Sequence, residues 1–420
     1  MIFDLSRFSA PCDCGHTHTV TAKCVLIESG AIMKLPEVIK QCGLEGVKPC
    51  IVCDENTYKA AGELVCQVVP VHNLVILKNE GLHPDEHAID AINAGYGDSG
   101  YVISVGSGTL NDLGKYVANQ HGVPTLSVAT AASMDGFVST VAAMTLNNFK
   151  VTKIVPAPIA VIADTDIFSK APYRLTASGI GDIIGKYTAL ADWRMSHTIW
   201  GEYLCENIYE IEYSAVVKVA ENIDAIRAGD KAAYEDLMYA LILSGLAMQM
   251  NGNSRPASGS EHHLSHFWEL NIINDSHSGL HGEMVGVGLQ CVTKVYKDFM
   301  AKVTDPAAIL HPYSGLPHED LKRVLGFMYE DAIKESTPDD MLNVTPEKIL
   351  AAWPKIREIV GAMPSHEEIM SMLERAGAPM TMEEVGVDSK HLKDCFRFSP
   401  FIRGRITLIR LLDTMFDWEF

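Results

Sequence analysis

Cysteine, basic residues and long apolar runs are all scarce in this sequence, and each scarcity argues against a class of protein. Ten cysteines in 420 residues fall far below the density of a disulfide-stapled domain, so we expect reduced thiols in a cytoplasmic chain. Lys and Arg number 34 against 53 Asp and Glu, which gives a net charge of -19. Proteins that bind nucleic acids neutralise phosphates with clustered Lys and Arg, so we expect no nucleic-acid partner.

Signals for membrane insertion and export are also missing. No run of about 18 apolar residues occurs, so we expect no membrane span. The first residues, MIFDLSRFSAPCDCGH, carry an early Asp4 and lack a basic region followed by a long apolar core, so we expect no secretory signal. With 47% hydrophobic and 21% charged residues, the composition is that of a globular protein.

The chain divides into an alternating half and a helical half, which fits two domains at about 150 or more residues each. Between about residues 24 and 170, helix-length segments separate six short β-branched runs: KCVLIES, KPCIVCDE, HNLVILK, GYVISVGSG, TLSVATA and PIAVIAD. Such alternation predicts βα units around a mainly parallel sheet. After that, apolar residues recur at helical spacing. We therefore predict an α/β domain over residues 1–170 and an all-helical domain over residues 171–420.

A glycine turn after the fourth run indicates a phosphate site. In YVISVGSGTLNDLGKYVA, the strand is predicted to end at Val105, followed by a turn over residues 106–109 and a helix from about Leu110. Backbone N–H groups of such a turn can approach a phosphate, and the helix N-terminus adds partial positive charge. The spacing is neither G-x-G-x-x-G nor a Walker loop. A purely structural turn therefore remains the alternative.

Two further segments are candidates for contacting a dinucleotide. Thr130, Ser133 and Ser139, in TLSVATAASMDGFVSTVA, can hydrogen-bond a pyrophosphate or a nicotinamide amide, with helix capping as the alternative. Asp54 ends the run CIVCD, where a carboxylate can accept hydrogen bonds from an adenosine ribose. An ordinary turn residue is the alternative for Asp54.

Ionisable residues in the helical half form a candidate metal site. Asp182 lies among glycines and apolar residues in SGIGDIIGKYTALADW, a setting that favours a buried carboxylate with a partner. His262 and His266 are four residues apart in SEHHLSH and share a helix face, and His281 precedes a glycine-punctuated helix. Each His alone is more simply a satisfied polar residue. One Asp and two His together can hold a divalent cation and leave positions open for substrate.

The N-terminal segment PCDCGHTHTV contains a second group of residues that commonly bind metals. Cys12, Cys14, His16 and His18 alternate along the chain, which puts them on one face of an extended strand. Neighbouring side chains at this spacing cannot easily close one tetrahedral zinc site. The sequence therefore favours an ordinary exposed strand or loop over a structural metal site, and leaves open whether these residues bind anything.

The motifs GSGTLND, TAASMDG, GIGD, SGSEHHLSH and LHGE together resemble those of the sn-glycerol-1-phosphate dehydrogenase family, within the iron-containing alcohol dehydrogenase and dehydroquinate synthase superfamily. The resemblance runs through these motifs from about residue 24 to about residue 290. The order Asp, His, His carries it at the superfamily level, and SRPASGSEH with Ser133-Met134-Asp135-Gly136 carries it at the family level. It implies a dehydroquinate synthase-like fold, with an α/β nucleotide-binding domain followed by an all-α metal-binding domain.

The resemblance also implies a role for each matching residue. The metal ligands correspond to Asp182, His262 and His281, with His262 preferred to His263. Asp135 and His266 fall where the family contacts substrate, so that Asp135, Asp182 and His266 are the implied catalytic residues. The dinucleotide contacts correspond to Asp54, Gly106, Ser107, Gly108, Thr109, Leu110, Thr130, Ser133 and Ser139. Ser107 replaces a glycine that is common at this point in the superfamily.

The implied activity is the interconversion of dihydroxyacetone phosphate and sn-glycerol 1-phosphate with NAD(H) or NADP(H) and one divalent metal, zinc, nickel or iron. The metal would polarise the carbonyl as a Lewis acid while hydride is delivered to carbon. Arg255 or Lys186 is the candidate partner of the substrate phosphate, although both could equally pair with carboxylates at the surface. The family also implies a cytoplasmic homo-oligomer, most simply a dimer, in phospholipid metabolism. The alternatives are a glycerol or other small-alcohol dehydrogenase, a dehydroquinate synthase-like lyase, and a non-catalytic protein of the same fold.

Overall fold

The computed structural model describes residues 3–147, 149–273 and 276–420. Its first half holds the described strands, which are β1 (Cys24–Glu28), β2 (Pro49–Asp54), β3 (Asn73–Leu77), β4 (Tyr101–Gly106), β5 (Thr125–Ala129), β6 (Val141–Leu146), β7 (Phe149–Ile154) and β8 (Ala160–Asp164). Six of them form one sheet in the order β1-β8-β5-β4-β2-β3, and every neighbouring pair is parallel. These six strands are the six β-branched runs of the sequence, so the predicted parallel sheet is confirmed.

The sheet is buried on both faces, which explains why its strands are near-continuous apolar runs. Neighbouring residues along β2 point to opposite faces: Ile51 packs in one apolar cluster with Ile103, and Val52 packs in another with Val102. Strands β6 and β7 instead form an antiparallel hairpin of their own. The sequence analysis did not predict this hairpin.

Helices alternate with the strands and then make up the rest of the chain. The helices of the first half are α1 (Leu35–Gln41), α2 (Glu55–Thr57), α3 (Glu63–Val68), α4 (Glu86–Tyr96), α5 (Gly108–His121) and α6 (Thr165–Phe168). They are followed by α7 (Tyr173–Trp200), α8 (Glu206–Glu221), α9 (Ile223–Arg227), α10 (Lys231–Asn251), α11 (Ser260–Glu269), α12 (His281–Lys302), α13 (His318–Leu325), α14 (Tyr329–Glu335), α15 (Pro346–Ala362), α16 (His366–Ala376), α17 (Leu392–Phe398) and α18 (Leu408–Met415). The predicted α/β region followed by a helical region is therefore confirmed.

Two compact units account for the described chain. The first contains residues 1–183 and 221–253, and the second contains residues 184–220 and 254–420. The second unit has its own apolar core, in which Phe299 contacts Trp353 and Phe416 with ring centroids 5.7 and 5.2 Å apart. The predicted boundary at residue 170 lies just before α7 and stays a prediction. Among the described residues, no helix is both long enough and apolar enough to cross a bilayer.

Candidate active site

Helices α11 and α12 carry the histidines of the candidate metal site, and a glycine lets the two helices pack closely. A Cβ at Gly288 of α12 would lie only 2.6 Å from the backbone oxygen of Glu261 in α11. His262 lies in the first turn of α11, and His281 is the first residue of α12. Their rings are 5.4 Å apart, measured between centroids.

The structure brings Asp182, His262 and His281 together. Each offers one ligand atom, and the three atoms lie within 4.8 Å of one another. Asp182 and His262 are buried, and His281 is partly exposed. One carboxylate and two imidazoles at this separation form a plausible set of ligands for a divalent cation. Their role as metal ligands stays a prediction.

Two glutamates hold the imidazoles by their Nδ1 atoms. Nδ1 of His262 lies 2.7 Å from Oε1 of Glu261, and Nδ1 of His281 lies 2.8 Å from Oε1 of Glu269. A carboxylate at Nδ1 fixes the orientation of the ring and is the arrangement typical of histidines that bind a metal through Nε2. These glutamates orient the two candidate ligands, and the sequence analysis missed both.

Glu261 is fully buried and held by several donors. Its carboxylate accepts hydrogen bonds from the Gly259 N–H at 2.8 Å and from the Thr188 hydroxyl at 2.5 Å. Burial acts to raise the pKa of Glu261, but the hydrogen bond and charge of His262, together with these donors, bring the pKa below its ordinary value. Glu261 is therefore kept as a carboxylate, the form that accepts a hydrogen bond from the His262 ring.

Asp182 is connected to the predicted substrate residue Asp135. The backbone N–H of Asp135 donates to Oδ2 of Asp182 at 3.0 Å, and the Asp135 carboxylate accepts a hydrogen bond from the Ser244 hydroxyl at 2.9 Å. Asp135 and Asp182 are both buried. The segment that begins at Ser133 thus helps to fix the orientation of the Asp182 carboxylate.

His266 lies beside the two candidate ligands, whereas His263 has a different environment. The ring centroid of His266 is 5.8 Å from that of His262 and 5.6 Å from that of His281. Burial is the largest cause that lowers the pKa of His266 well below its usual range, so the ring is held neutral. Neither ring nitrogen of the buried His263 has a hydrogen-bond partner among the residues described.

The two candidate phosphate cations are both buried, and Arg255 has a carboxylate partner, the alternative that the sequence left open. Lys186 follows Asp182 by one helical turn of α7, which puts the two side chains on one face of that helix. The Arg255 guanidinium donates to Oε2 of Glu202 at 2.8 Å and to the backbone oxygen of Ile406 at 2.6 Å. Arg255 is therefore already held by two acceptors.

The glycine turn after β4 is tighter than predicted. The strand ends at Gly106 rather than Val105, and α5 begins at Gly108, two residues before Leu110. Thr109 therefore lies inside the first turn of α5. Gly106 must lack a Cβ because one would lie 2.4 Å from the Leu110 side chain. Ser107 precedes the helix without capping it, and its hydroxyl instead forms a hydrogen bond with the Ser133 hydroxyl.

The segment after β5 is irregular. No α-helix follows it directly, whereas α5 follows β4 after one residue. Thr130 donates its backbone N–H to Gly106 at 3.1 Å, and a short 3-10 turn follows over Gly136–Val138. Helix capping is therefore not the role of Thr130 or Ser133. Ser139 ends the 3-10 turn, and its hydroxyl accepts a hydrogen bond from Lys115 at 3.1 Å.

Lys115 is a buried residue that the sequence analysis overlooked. Besides Ser139, its ammonium group donates to the Gly136 and Val141 backbone oxygens at 3.3 and 2.5 Å, and it pairs with Asp112 at 2.8 Å. A lysine on a predicted amphipathic helix normally suggests a solvated face, so no local signal identified it. Its contacts fix the loop between β5 and β6.

Asp54 caps a helix at the end of β2. Its Oδ1 accepts the backbone N–H groups of Asn56 and Thr57 at 2.8 and 2.7 Å. This local role is close to the alternative that the sequence left open, and the ribose role stays a prediction. Directly after Asp54 lies a pocket of about 660 Å³ lined by Glu55, Asn56, Tyr58, Lys59, Ile76, Asn79 and Glu80.

Comparison with known proteins places the chain among dehydrogenases. A sequence profile described as iron-containing alcohol dehydrogenase matches residues 26–172. The glycerol-1-phosphate dehydrogenase [NAD(P)+] of Halalkalibacterium halodurans is 36% identical over 343 residues, which cover 79% of this chain and 85% of that protein. The protein of the same name from Geobacillus stearothermophilus is 29% identical over 415 residues, 96% of each chain.

Solved structures resemble the chain at much lower sequence identity. Sulfoacetaldehyde reductase from Bifidobacterium kashiwanohense, in complex with NAD+, superposes with a TM-score of 0.60 at 17% identity and covers 94% of this chain and 96% of its own. Maleylacetate reductase from Agrobacterium tumefaciens has a TM-score of 0.58 at 16% identity, with 91% of each chain covered. At these identities the likeness shows a shared fold and nothing about substrate.

Proposed function

Because the chain belongs to the glycerol-1-phosphate dehydrogenase family, we propose that it interconverts dihydroxyacetone phosphate and sn-glycerol 1-phosphate with NAD(H) or NADP(H). The predicted enzyme class is confirmed by relatives that carry this name over most of the chain. One observation supports the proposed site most strongly: the ligand atoms of Asp182, His262 and His281 lie within 4.8 Å of one another.

The donor atoms suit one divalent cation. Nδ1 of each imidazole lies against a glutamate carboxylate, the arrangement seen in histidines that bind a metal through Nε2. Three protein ligands leave coordination positions for substrate oxygens, as in catalytic rather than closed structural sites. Nitrogen and carboxylate ligands of this kind suit zinc or nickel, and also iron. We propose one such ion, with zinc or nickel favoured by the family resemblance.

When bound, the cation supplies Lewis-acid polarisation of the substrate carbonyl, and the dinucleotide supplies or accepts the hydride. Glu261 and Glu269 keep His262 and His281 in the ligand tautomer. Asp135 orients Asp182 through its backbone N–H. His266, held neutral beside both histidines, would position a substrate hydroxyl or relay the proton that the alcohol oxygen gains on reduction. Either Lys186 or Arg255, both buried cations, is proposed to bind the substrate phosphate.

The dinucleotide is proposed to lie along the carboxyl ends of the parallel strands. The start of α5 offers N–H groups and a helix dipole to the pyrophosphate, and the contacts proposed there are Gly106, Ser107, Gly108, Thr109, Leu110, Thr130, Ser133 and Ser139. Asp54, next to the pocket lined by Glu55 and Tyr58, would receive the adenosine ribose. The family resemblance further supports a cytoplasmic homodimer, and the net charge of -19 argues against a nucleic-acid partner.

A substrate comparison tests the proposed function. NADH and NADPH oxidation is measured with dihydroxyacetone phosphate, dihydroxyacetone and a sulfonated aldehyde, and NAD+ reduction with glycerol, on the metal-loaded protein. We expect turnover with the phosphorylated ketone and little with the unphosphorylated compounds. Faster turnover of glycerol and dihydroxyacetone would favour a small-alcohol dehydrogenase instead. No oxidation of either cofactor with any substrate would contradict the proposed activity.

A further inference from the structure

The segment with alternating Cys and His residues folds into a tight turn instead of an extended strand. Pro11 and Thr17 pair as an antiparallel bridge, and the Cys12 N–H donates to the His16 backbone oxygen at 2.9 Å. Gly15 has a φ of 85°, which glycine adopts without strain. The strand argument against a metal site therefore does not apply, because the turn removes the regular alternation of side chains on which it depended.

His18 has the hydrogen bonding expected of a metal-bound histidine. The ring is buried, and its Nδ1 lies 2.8 Å from the backbone oxygen of Met250. Nδ1 must carry the proton to donate to a carbonyl, so the lone pair resides on Nε2. That Nε2 lies 3.4 Å from the Cys14 sulfur. A histidine ligand held at one nitrogen by a backbone carbonyl is a common feature of metal sites.

A third cysteine, distant in sequence, completes the group. Cys205 is fully buried and immediately precedes α8. Cys12, Cys14, His18 and Cys205 each offer one ligand atom, and the four atoms lie within 4.8 Å of one another. No disulfide joins cysteines in the part of the chain that the structure describes. His16 does not belong to the group, although the sequence pattern had included it.

The separations suit a tetrahedral zinc ion. Zn–S bonds of about 2.3 Å and Zn–N bonds of about 2.0–2.1 Å place neighbouring tetrahedral ligand atoms roughly 3.5–3.8 Å apart. The observed 3.4 Å between Cys14 Sγ and His18 Nε2 is close to that edge. Thiolates favour zinc over the harder cations, and three cysteines with one histidine are a known combination for closed structural zinc sites.

We propose that Cys12, Cys14, His18 and Cys205 bind one structural zinc ion, separate from the ion of the active site. The four protein ligands fill a tetrahedral shell and leave no position for substrate. Binding releases the thiol protons and stabilises the fold, because the unfolded chain does not hold the four ligands together. The protein would then carry two metal ions of different chemistry, one held by three thiolates and an imidazole and the other by a carboxylate and two imidazoles.

Cobalt substitution of the full-length protein tests this site independently of activity. Co²⁺ bound to thiolates gives a charge-transfer absorption that Asp and His ligands do not give. We expect this absorption in the cobalt-loaded wild type and in His281→Ala, which lacks a catalytic-site ligand. We expect it to be reduced or lost in Cys12→Ser and Cys205→Ser. Cys66→Ser is the matched control, since Cys66 lies outside the group, and should keep the absorption.

Elemental analysis gives the second readout. Zinc content should fall by about one ion per chain in Cys12→Ser and Cys205→Ser and should be unchanged in Cys66→Ser. Cys12 is partly exposed, so its variant perturbs the core less than Cys205→Ser does. A wild type without thiolate absorption after cobalt loading would overturn the proposal. Full zinc content in folded Cys12→Ser and Cys205→Ser, or a disulfide among these cysteines in the freshly purified protein, would overturn it equally.

Discussion

Oε1 of Glu269, the last residue of α11, lies 2.8 Å from Nδ1 of His281, the first residue of α12. The two residues are 12 positions apart along the chain, and the hydrogen bond between them determines which ring nitrogen of His281 faces the candidate metal site. Glu261 does the same for His262 from the neighbouring position in the sequence. The candidate metal site therefore depends on two carboxylates that do not themselves belong to the three-residue ligand group.

Replacing Glu269 should weaken metal binding without removing a ligand. In Glu269→Ala the His281 ring loses the acceptor that orients it, and such changes typically cost 10–100-fold in metal affinity. Competition with a chromophoric chelator measures the change. Glu358→Ala, which removes an exposed carboxylate that pairs with Lys355, is the control and should bind metal as the wild type does. Equal affinity in Glu269→Ala and wild type would show that the contact does not support the site.

Removing a ligand should have a much larger effect. His262→Ala and His281→Ala should each lose most of the catalytic metal and nearly all activity, because two remaining ligands hold a divalent ion poorly. Both variants should still bind NADH, which can be followed by its fluorescence. In the elemental analysis, the zinc proposed at Cys12 and Cys205 should remain in both variants and must be counted apart from the ion of the candidate active site. Full occupancy of the catalytic metal in His262→Ala would point to His263 or His266 as the true ligand.

Asp54 is expected to influence the choice between NADH and NADPH. In the proposed ribose-binding role, the Asp54 carboxylate would repel the 2′-phosphate of NADPH. Asp54→Asn removes the charge and keeps an N-cap of similar strength for α2, whereas Asp54→Ala would also cost roughly 0.5–2 kcal/mol of stability. The Michaelis constant for NADPH should therefore fall relative to that for NADH in Asp54→Asn. If both constants change by the same factor, the role of Asp54 is confined to the helix cap.

Asp413 gives a prediction for the pH dependence of stability. Burial, the main cause, raises the pKa of Asp413 from 3.8 to about 6. Because the folded state binds this proton more tightly than the unfolded state, the free energy of unfolding falls as pH rises from about 4 through about 6. Asp413→Asn should therefore stabilise the protein by roughly 1–3 kcal/mol at pH 8 and by less at pH 5.

Urea unfolding at the two pH values measures this difference. Asp417→Asn is the matched control, because Asp417 is exposed in the same C-terminal region. A gain of equal size at pH 5 and pH 8 for Asp413→Asn would contradict the assignment to ionisation.

The parallel sheet was predictable because its strands are buried on both faces and leave continuous apolar runs in the sequence. The hairpin β6–β7 left a weaker signal: Val141 and Ile154 are exposed, so apolar residues there do not mark a buried strand. The glycine spacing predicted the start of α5 only to within two residues. The close contact between Gly106 and the Leu110 side chain exists only in the folded chain and leaves no pattern in the sequence.

The candidate site was predictable where its residues lie in recognisable motifs, and not where they meet through folding alone. Asp182, His262 and His281 were found through their motifs, but Glu269 has no local feature that distinguishes it from a solvated helix residue. Cys205 was missed for the same reason, because only folding brings it near Cys12 and Cys14. Hydrophobic periodicity predicts which face of a helix or strand is buried. It does not predict which residues of distant elements come into contact.

Oxidation of the two glycerol phosphate enantiomers tests the central claim most directly. The proposed contacts with the metal, the hydride acceptor and the phosphate group would fix three points of the substrate, and only one enantiomer could satisfy all three. With NAD+ or NADP+ and the metal-loaded protein, we predict oxidation of sn-glycerol 1-phosphate and little or none of sn-glycerol 3-phosphate. Comparable turnover of the two enantiomers, or preference for the 3-phosphate, would contradict the proposed function.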